Sequence, residues 1–507
     1  MWTADLGNGR YKNPILYADY SDPDAIRVGD DYFMISSSFS NAPAMPLLHS
    51  KDLVNWKVVN YILAEIPEFR YRNPIHGCGV WAPAIRYHEG TYYVCFPMPD
   101  EGIYMTTATD PYGEWSKPVN IRPGAGWIDP CPFWDEDGKA YLVAGVAKSR
   151  IGYKSVLHMV EMQPDGMGLI GEEKIIFDGN LNDQITIEGP KMYKRNGWYY
   201  IFAPAGGVKT GWQTVLRSKN VFGPYEYKVV MRQGDSPVNG PHQGAWIDTV
   251  TGQDWFIHFQ DVYAAGRITH LQPMSWENDW PVIGVKKDGN DYGEPVMEYE
   301  KPDVGAVYEI CEPDTTDEFT EDTLGLQWQW NANYKKEWYD LENGQLILHA
   351  QAADPKTQLC DISNLLLQKW PAPEFSITTC LHLEEMKDGD VAGLVSLGGC
   401  YTALAVQKIN GKMSLQQRTG NWTKDDEVRT GLGDWNSDVI YIQMKVEKEN
   451  YRTFYVGTAE ENLQPVGQMV EATPGRWVGV KDGLFAINEQ GMEGGLVAAD
   501  YFVYQEL

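Results

Sequence analysis

Five residues stand at one repeated position in the first three hundred residues of the chain. They are Asp22, Trp81, Asp129, Glu188 and His242. Each precedes a turn that leads into an apolar, aromatic-rich segment, by eight residues in the first four cases and by eleven in the last. A proline follows four of the five within two positions. If folding brings these positions together, three carboxyl groups, an indole and an imidazole converge, and carboxyl groups so placed can act as general acids and bases.

The turns form an internal repeat that predicts the fold. The turn-strand segments begin at Asp30, Glu89, Asp137, Asn196 and Gln253, with spacings of 59, 48, 59 and 57 residues. Asp-Gly and Asn-Gly steps favour tight hairpins, because both residues tolerate positive φ. Each unit therefore predicts a four-stranded antiparallel sheet, and such sheets repeated radially form a β-propeller. We predict an all-β protein whose residues 1–300 form a five-bladed β-propeller, with the five repeated residues at the start of the innermost strands, facing the central channel.

The pattern changes after residue 300. Residues 301–315 have the composition of a linker, and residues 316–507 contain short alternating segments such as 345–350, 376–383 and 439–446. Turn signals of the Asn-Gly type separate these segments. The sequence therefore predicts a second domain over 316–507 that is a two-sheet β-sandwich.

Composition excludes several classes of function. The net charge of −28 is the wrong sign for binding nucleic acid or an anionic membrane surface. Seven cysteines without CxxC spacing argue against a disulfide framework and a zinc ribbon. No GxGxxG or GxxxxGK[ST] segment follows a strand, so we expect no nucleotide or flavin cofactor. Aromatic residues make up 13% of the chain, which suits a protein that stacks rings against sugars.

Taken in chain order, the motifs resemble glycoside hydrolase family 43. The resemblance rests on Asn13-Pro14-Ile15-Leu16, Ser21-Asp22-Pro23, Phe39 after a Ser run, the segment from His49 to Trp56, Trp81-Ala82-Pro83, Asp129-Pro130, Glu188-Gly189-Pro190 and Gly266-Arg267. One departure is Asp24, where the family often has Ser, and it adds a charge beside Asp22. The two ends of the second domain resemble the concanavalin-like (jelly-roll) sandwiches that accompany many family members.

The resemblance implies roles for the three carboxylates. Asp22 would be the general base, Glu188 the general acid, and Asp129 a third carboxylate that orients the acid. Inversion requires the acid and the base to lie roughly 6.5–9.5 Å apart, so that water and sugar fit between them.

Three further residues are candidates for binding the sugar. Phe39 and Trp81 would form apolar walls of the pocket, although single aromatic residues more often belong to a core. Arg267 would be a counter-charge that also hydrogen-bonds the sugar hydroxyls, with a structural ion pair as the alternative.

Two calcium sites are expected from the resemblance. His242 would contact a calcium ion in the propeller channel whose other ligands are mostly waters, unless it is a buried hydrogen-bonding histidine. In the sandwich, Asp500 would bind a structural calcium, with Glu318 as a possible second ligand. The alternative for Asp500 is a solvated carboxylate at the end of a strand.

The resemblance implies an exo-acting, inverting hydrolase that removes terminal β-D-xylosyl or α-L-arabinofuranosyl residues from oligosaccharides derived from xylan or arabinoxylan. An endo-arabinanase and a non-catalytic sugar-binding propeller are the alternatives. The first residues lack a signal pattern. We expect a secreted or periplasmic protein with its signal removed, or alternatively a cytoplasmic one; the oligomeric state is left open.

Overall fold

The computed structural model describes residues 1–424 and 427–507, and its first part contains five antiparallel sheets in succession. In each sheet the first four strands pair in chain order, so each blade is a meander. Blade 1 consists of Asp24–Val28, Asp31–Ile35, Ala44–Ser50 and Trp56–Leu63. Blade 2 consists of Ala84–His88, Thr91–Met98, Gly102–Ala108 and Val119–Pro123. Blade 3 consists of Trp127–Trp134, Ala140–Val146, Val156–Met162 and Lys174–Asp178. Blade 4 consists of Lys191–Arg195, Trp198–Ala205, Trp212–Ser218 and Glu226–Met231. Blade 5 consists of His242–Asp248, Asp254–Asp261, Arg267–Glu277 and Trp280–Ile283.

The predicted hairpins explain why the blades begin where they do. In blades 2 and 4 the first turn is Glu89-Gly90 or Asn196-Gly197, and both residues of each pair have positive φ. This is the conformation that two-residue hairpins require, and Gly and Asn adopt it at little cost. The innermost strand of blade 2 packs between those of blades 1 and 3, and that of blade 3 also packs against that of blade 4. The innermost strand of blade 5 packs against the second strand of blade 4 and against the innermost strand of blade 1. The ring is therefore closed, and the five-bladed propeller is confirmed.

Short elements complete the propeller. Gly293–Glu294 and Val285–Lys286 add to the outer edge of blade 4, and Arg10–Lys12 pairs with Glu298–Glu300. The chain contains one short α-helix, Lys148–Ile151, within the described residues. The 3₁₀ turns are Phe69–Arg72, Tyr263–Ala265, Lys336–Trp338, Leu359–Asp361, Lys448–Asn450 and Glu460–Asn462. Among the described residues no helix has the length and apolar character needed to cross a membrane.

The second part of the chain is a sandwich of two sheets, which confirms the predicted architecture. The first sheet has the order Gln329–Trp330, Leu365–Lys369, Lys481–Asn488, Asp390–Leu397, Cys400–Ile409, Lys412–Asn421 and Val428–Trp435, with Gln351–Ala352 beside Lys481–Asn488. The second sheet has the order Tyr339–Glu342, Gln345–His349, Leu496–Glu506, Phe375–His382, Val439–Glu447, Tyr451–Gly457 and Gln464–Glu471. Alternate residues of both sheets face one apolar core.

The propeller and the sandwich share part of this core. Ala264, Ala265 and Ile268 of blade 5 belong to the same buried cluster as Trp328 and Trp330 of the sandwich. Backbone hydrogen bonds cross the boundary as well. The Trp330 N–H donates to the Ala42 carbonyl over 2.6 Å, and Ala42 returns a bond of 3.1 Å. The sandwich is therefore held in a fixed position beside one mouth of the propeller.

Candidate active site

A cavity of about 260 Å³ lies at the mouth of the propeller channel where the innermost strands begin. All seven propeller residues singled out from the sequence line it: Asp22, Phe39, Trp81, Asp129, Glu188, His242 and Arg267. The spacing of the repeat therefore identified five positions that converge in space, and the family resemblance added Phe39 and Arg267. Further lining residues include Thr186, Val208, Gln243 and Trp477, which the sequence analysis did not select.

Unusual backbone conformations aim the acidic side chains into the cavity. Asp22 and Asp129 both have positive φ, 55° and 53°. Asp tolerates this left-handed region better than most residues. The pairing of blade 3 shifts register between Ile128 and Cys131, so Asp129 lies on a bulge. Bulges re-aim side chains and are frequent beside active sites.

Glycine is required after Glu188. Gly189 has φ 61°, and a Cβ there would lie 2.4 Å from Cγ of Gln243. The Gly189 N–H also donates a hydrogen bond to Oδ2 of Asp129 over 2.8 Å. Asp129 thus fixes the turn that carries Glu188, a contact consistent with the orienting role expected for it.

Asp22 is held by a cation and a hydroxyl. Arg267 Nη1 lies 2.8 Å from Oδ1 of Asp22, and Ser37 Oγ donates to Oδ2 over 2.6 Å. The Asp22 side chain is 7% exposed. Each carboxylate oxygen still has a free lone pair, so the group can accept a proton from a water molecule placed in the cavity.

Glu188 is paired with His242. Nε2 of His242 lies 2.8 Å from Oε1 of Glu188, and the histidine side chain is 1% exposed whereas that of Glu188 is 27% exposed. Of this pair, Glu188 is therefore the side chain that a molecule in the cavity can reach. Its second oxygen is available to a leaving group in the cavity, as a general acid requires.

Asp129 is the carboxyl group whose protonation the fold alters most clearly. Burial, followed by the charges of Glu188 and Asp22, raises the pKa of Asp129 to about 8. A carboxylate in an apolar site beside two others cannot ionise easily. Near neutral pH, the group of Asp22, Asp129 and Glu188 therefore carries a proton before substrate binds.

Asp24, the departure from the family pattern, is neutralised within the propeller. It is fully buried, and Arg86 Nη1 lies 2.7 Å from its Oδ2. The Ile85 N–H donates to the same oxygen over 2.8 Å. The charge of Asp24 is therefore balanced by Arg86, which belongs to blade 2.

An aromatic wall closes one side of the cavity. Phe39 and Trp81 have ring centroids 6.3 Å apart, and Trp81 packs edge-on against Trp477 at 4.7 Å. The Arg150 guanidinium lies over the Trp81 ring at 4.8 Å. Trp477 belongs to the sandwich and has φ 65°. The second domain therefore contributes directly to the pocket.

Asp19 fixes the loop that carries Trp477. Its Oδ2 accepts from the Gly479 N–H over 2.8 Å, and its Oδ1 accepts from the Arg267 N–H over 2.9 Å. The Val480 N–H also donates to the Ala264 carbonyl over 2.8 Å. One buried carboxylate thus ties the sandwich loop to the strand that carries Arg267. Trp477 could not be predicted as a pocket residue from the sequence, because its position depends on contacts between domains.

His242 has a feature that suits the expected channel cation. Its Nδ1 is buried and has no hydrogen-bond partner among the described residues. When Nε2–H donates to Glu188, Nδ1 carries a lone pair, which can bind a cation or a water. The neighbouring Gln243 Oε1 is likewise buried without a partner in the described part of the chain. An imidazole and an amide oxygen in an acidic channel are compatible with a mostly hydrated calcium ion.

Asp500 and Glu318 lie in the sandwich, away from this cavity, and line a separate cavity of about 440 Å³. The donors nearest to Asp500 are not those of a calcium site. Its Oδ1 accepts from Nε2 of Gln345 over 2.7 Å, and His382 Nε2 lies 3.0 Å from both its oxygens. Calcium prefers a shell of oxygens. A set of imidazole, amide N–H and the nearby thiol of Cys380 does not fit it.

Comparisons with known proteins agree with this architecture. The profile of Glycosyl hydrolases family 43 matches residues 11–281, and that of the Beta xylosidase C-terminal Concanavalin A-like domain matches residues 316–505. A putative beta-xylosidase of Xylanibacter ruminicola is 38% identical over 95% of this chain and 87% of its own length. A non-reducing end alpha-L-arabinofuranosidase of Bacteroides ovatus is 30% identical over 78% of this chain and 75% of its own. The crystal structure of a xylan beta-1,4-xylosidase from Bacillus halodurans has a TM-score of 0.84 and 26% identity, over 98% of this chain and all of that one.

Proposed function

The chain belongs to glycoside hydrolase family 43 and is a glycoside hydrolase, and we propose that it removes single terminal pentoses with inversion. The expected substrates are oligosaccharides that end in β-D-xylose or α-L-arabinofuranose. The observation that carries the proposal is the convergence of Asp22, Asp129 and Glu188 in one cavity that Trp477 closes from the second domain.

Asp22 and Glu188 carry out two different proton transfers. Asp22, held by Arg267 and Ser37, accepts a proton from water as the water oxygen bonds to the anomeric carbon. Glu188, held by His242, donates a proton to the glycosidic oxygen as the bond to the leaving sugar breaks. Asp22 ends protonated and Glu188 ionised, and exchange with solvent restores both. Asp129 acts on Glu188 through Gly189 and is a positioning residue.

The shape of the site favours exo action. The cavity is small for a ligand pocket, and the Trp81–Trp477 contact blocks continuation of a groove on that side. An endo-arabinanase needs an open groove that holds sugars on both sides of the cleaved bond. A purely sugar-binding propeller would have no use for a complete acid, base and third carboxylate, because burying them is costly.

The choice of pentoses rests on the relatives. The relatives include a putative beta-xylosidase and a non-reducing end alpha-L-arabinofuranosidase. The two sugars place similar hydroxyls around the anomeric carbon, so that one pocket can accept either. Arg267 and the aromatic wall of Phe39, Trp81 and Trp477 are the groups expected to contact the bound sugar.

A calcium ion in the channel is part of the proposal. His242 Nδ1 and Gln243 Oε1 would hold it or its waters. When bound, it would supply positive charge that favours ionised carboxylates nearby. The protein residues perform the proton transfers described above.

The test compares products from paired substrates. Aryl xyloside, aryl arabinofuranoside, xylo-oligosaccharides and linear arabinan are each incubated with the enzyme, and products are separated by chromatography. The proposal expects free pentose from the first three from the earliest times. Short arabino-oligosaccharides released from arabinan would identify the endo enzyme, and absence of any product would leave a binding protein.

A further inference from the structure

Cys380, His382 and Asp500 come together on the outer face of the second sandwich sheet. One ligand atom of each, the thiol sulfur, an imidazole nitrogen and a carboxylate oxygen, lies within 4.8 Å of the other two. None of the three lines the sugar cavity. They therefore lie outside the site of glycoside hydrolysis.

A bulge in the sheet creates this arrangement. Strand Phe375–His382 pairs with strand Leu496–Glu506, and the register shifts between Thr379 and Leu381. Thr379 faces Phe502 and Leu381 faces Ala499, so two residues, Asp500 and Tyr501, lie opposite the single residue Cys380. A bulge re-aims the side chains beside it. Here it places the Asp500 carboxylate next to the Cys380 thiol. His382 follows Cys380 by two residues on the same strand.

The three side chains already interact. His382 Nε2 lies 3.0 Å from both oxygens of Asp500, and the Cys380 sulfur lies within 4.8 Å of an oxygen of the same carboxylate. Glu384 Oε1 lies 3.9 Å from the other nitrogen of the His382 ring. A carboxylate on the far side of a metal-binding imidazole is a common means of fixing the orientation of the ring.

Exposure separates the roles of the ligands. The Cys380 residue is 1% exposed, whereas the side chains of His382 and Asp500 are 29% and 35% exposed. The site therefore has a buried sulfur at its base and an opening to solvent, through which an ion can enter. Solvent can also supply a fourth ligand.

We propose that Cys380, His382 and Asp500 form a site for a divalent transition metal ion of the zinc class. Thiolate, imidazole and carboxylate are the donors that zinc uses in proteins, commonly in a tetrahedral arrangement. Three protein ligands and one water complete that number. Calcium is excluded as the preferred ion, because sulfur and nitrogen are poor ligands for it.

Metal binding here exchanges a proton for the ion. The Cys380 thiol is buried and carries a hydrogen when no metal is present. Binding breaks the S–H bond, forms the metal–sulfur bond and releases one proton to solvent. No oxidant or reductant takes part.

A second group of similar composition supplies a matched control. His76, Cys360 and Asp361 also lie close together, at the contact between the propeller and the sandwich. Cys360 is fully buried, and the His76 ring packs on Trp422 at 5.2 Å. Among the described residues Asp361 is the one carboxylate paired with His76, so this ring lacks a second carboxylate such as Glu384 beside His382. We therefore assign the ion to Cys380, His382 and Asp500, and Cys360→Ser, which removes the buried thiol of the second group, tests that choice.

The experiment is a cobalt titration of the full chain after treatment with a chelator. Co²⁺ bound to a thiolate gives a charge-transfer band in the near ultraviolet. The wild type should develop this band to saturation at one ion per chain, Cys380→Ser should lack it, and Cys360→Ser should keep it. His382→Ala, a change at a partly exposed residue, should weaken binding about tenfold or more. Zinc should abolish the band, and a hundredfold excess of calcium should leave it intact.

Thermal unfolding gives an independent measure. Zinc should raise the Tm of the wild type and of Cys360→Ser, because it binds the folded sandwich, and should leave the Tm of His382→Ala almost unchanged. A wild type without the cobalt band would overturn the proposal, as would a band lost in Cys360→Ser and kept in Cys380→Ser. If Cys380→Ser does not fold, the His382→Ala titration decides.

Discussion

The indole of Trp477, from the sandwich, packs edge-on against that of Trp81, from propeller blade 2, with ring centroids 4.7 Å apart. Both rings line the cavity that holds Asp22 and Glu188. The contact makes the second domain a wall of the pocket, so that the pocket ends where the two domains meet. The catalytic propeller alone would have a more open site.

Removing this wall should impair recognition of the substrate. We expect Trp477→Ala to lower kcat/KM on xylobiose by about fivefold to thirtyfold, because a stacking surface worth about 1–2 kcal/mol is lost. Steady-state kinetics provide the measurement. The control is Trp134→Ala, an indole at the opposite mouth of the propeller. Equal loss in both variants would show that Trp477 has no specific role in the pocket.

The acid and the base should respond differently to the leaving group. Asp22→Ala and Glu188→Ala should each lower kcat by about a hundredfold to ten-thousandfold on xylobiose. On an aryl xyloside whose leaving group needs no proton, Glu188→Ala should recover much of the loss and Asp22→Ala should recover little. The exposed Glu136→Ala serves as a control. Recovery in Asp22→Ala but not in Glu188→Ala would reverse the two roles.

The raised pKa of Asp129 predicts a pH-dependent cost to stability. An unfolded Asp ionises near pH 4, whereas Asp129 in the folded protein does so at about 8. The folded state therefore binds the proton more tightly, and its stability falls as pH rises from about 4 to about 8. Asp129→Asn removes this loss, so its Tm should exceed that of the wild type by a few degrees at pH 8 and by less at pH 5. Activity should fall at both pH values. A Tm difference that does not grow with pH would contradict the prediction.

Arg267 is expected to keep Asp22 ready to act as a base. The Nη1–Oδ1 contact of 2.8 Å supplies a buried counter-charge. Arg267→Met leaves the carboxylate without it, so kcat on xylobiose should fall by about tenfold to a hundredfold. Ser37→Ala, which removes only a neutral hydrogen bond to Asp22, should lower kcat less. A rise in KM with kcat unchanged in Arg267→Met would assign the arginine to sugar binding alone.

The sequence was informative where function depends on a repeat. Asp22, Trp81, Asp129, Glu188 and His242 could be found because each stands at a fixed distance from a hairpin, and the radial symmetry of the blades converts that register into proximity. Phe39 and Arg267 were predicted from the family resemblance, and both line the cavity.

Residues whose position depends on packing between elements could not be found in this way. Trp477 lies on an irregular loop, held by Asp19 across the domain boundary. Likewise, the grouping of Cys380, His382 and Asp500 depends on a register shift in the sheet, and a strand pattern does not reveal a bulge. The pairing of Glu188 with His242 joins two neighbouring blades, so the repeat predicted only that they would be close.

The anomeric configuration of the first product tests the central claim most directly. Proton NMR of an aryl β-D-xyloside reaction, recorded within the first minutes before mutarotation, distinguishes α- from β-xylose. An inverting mechanism with Asp22 as base and Glu188 as acid predicts that α-xylose appears first. The early appearance of β-xylose would mean retention through a covalent intermediate, with the two carboxyl groups only about 5 Å apart. That result would contradict the assignment of water activation to Asp22.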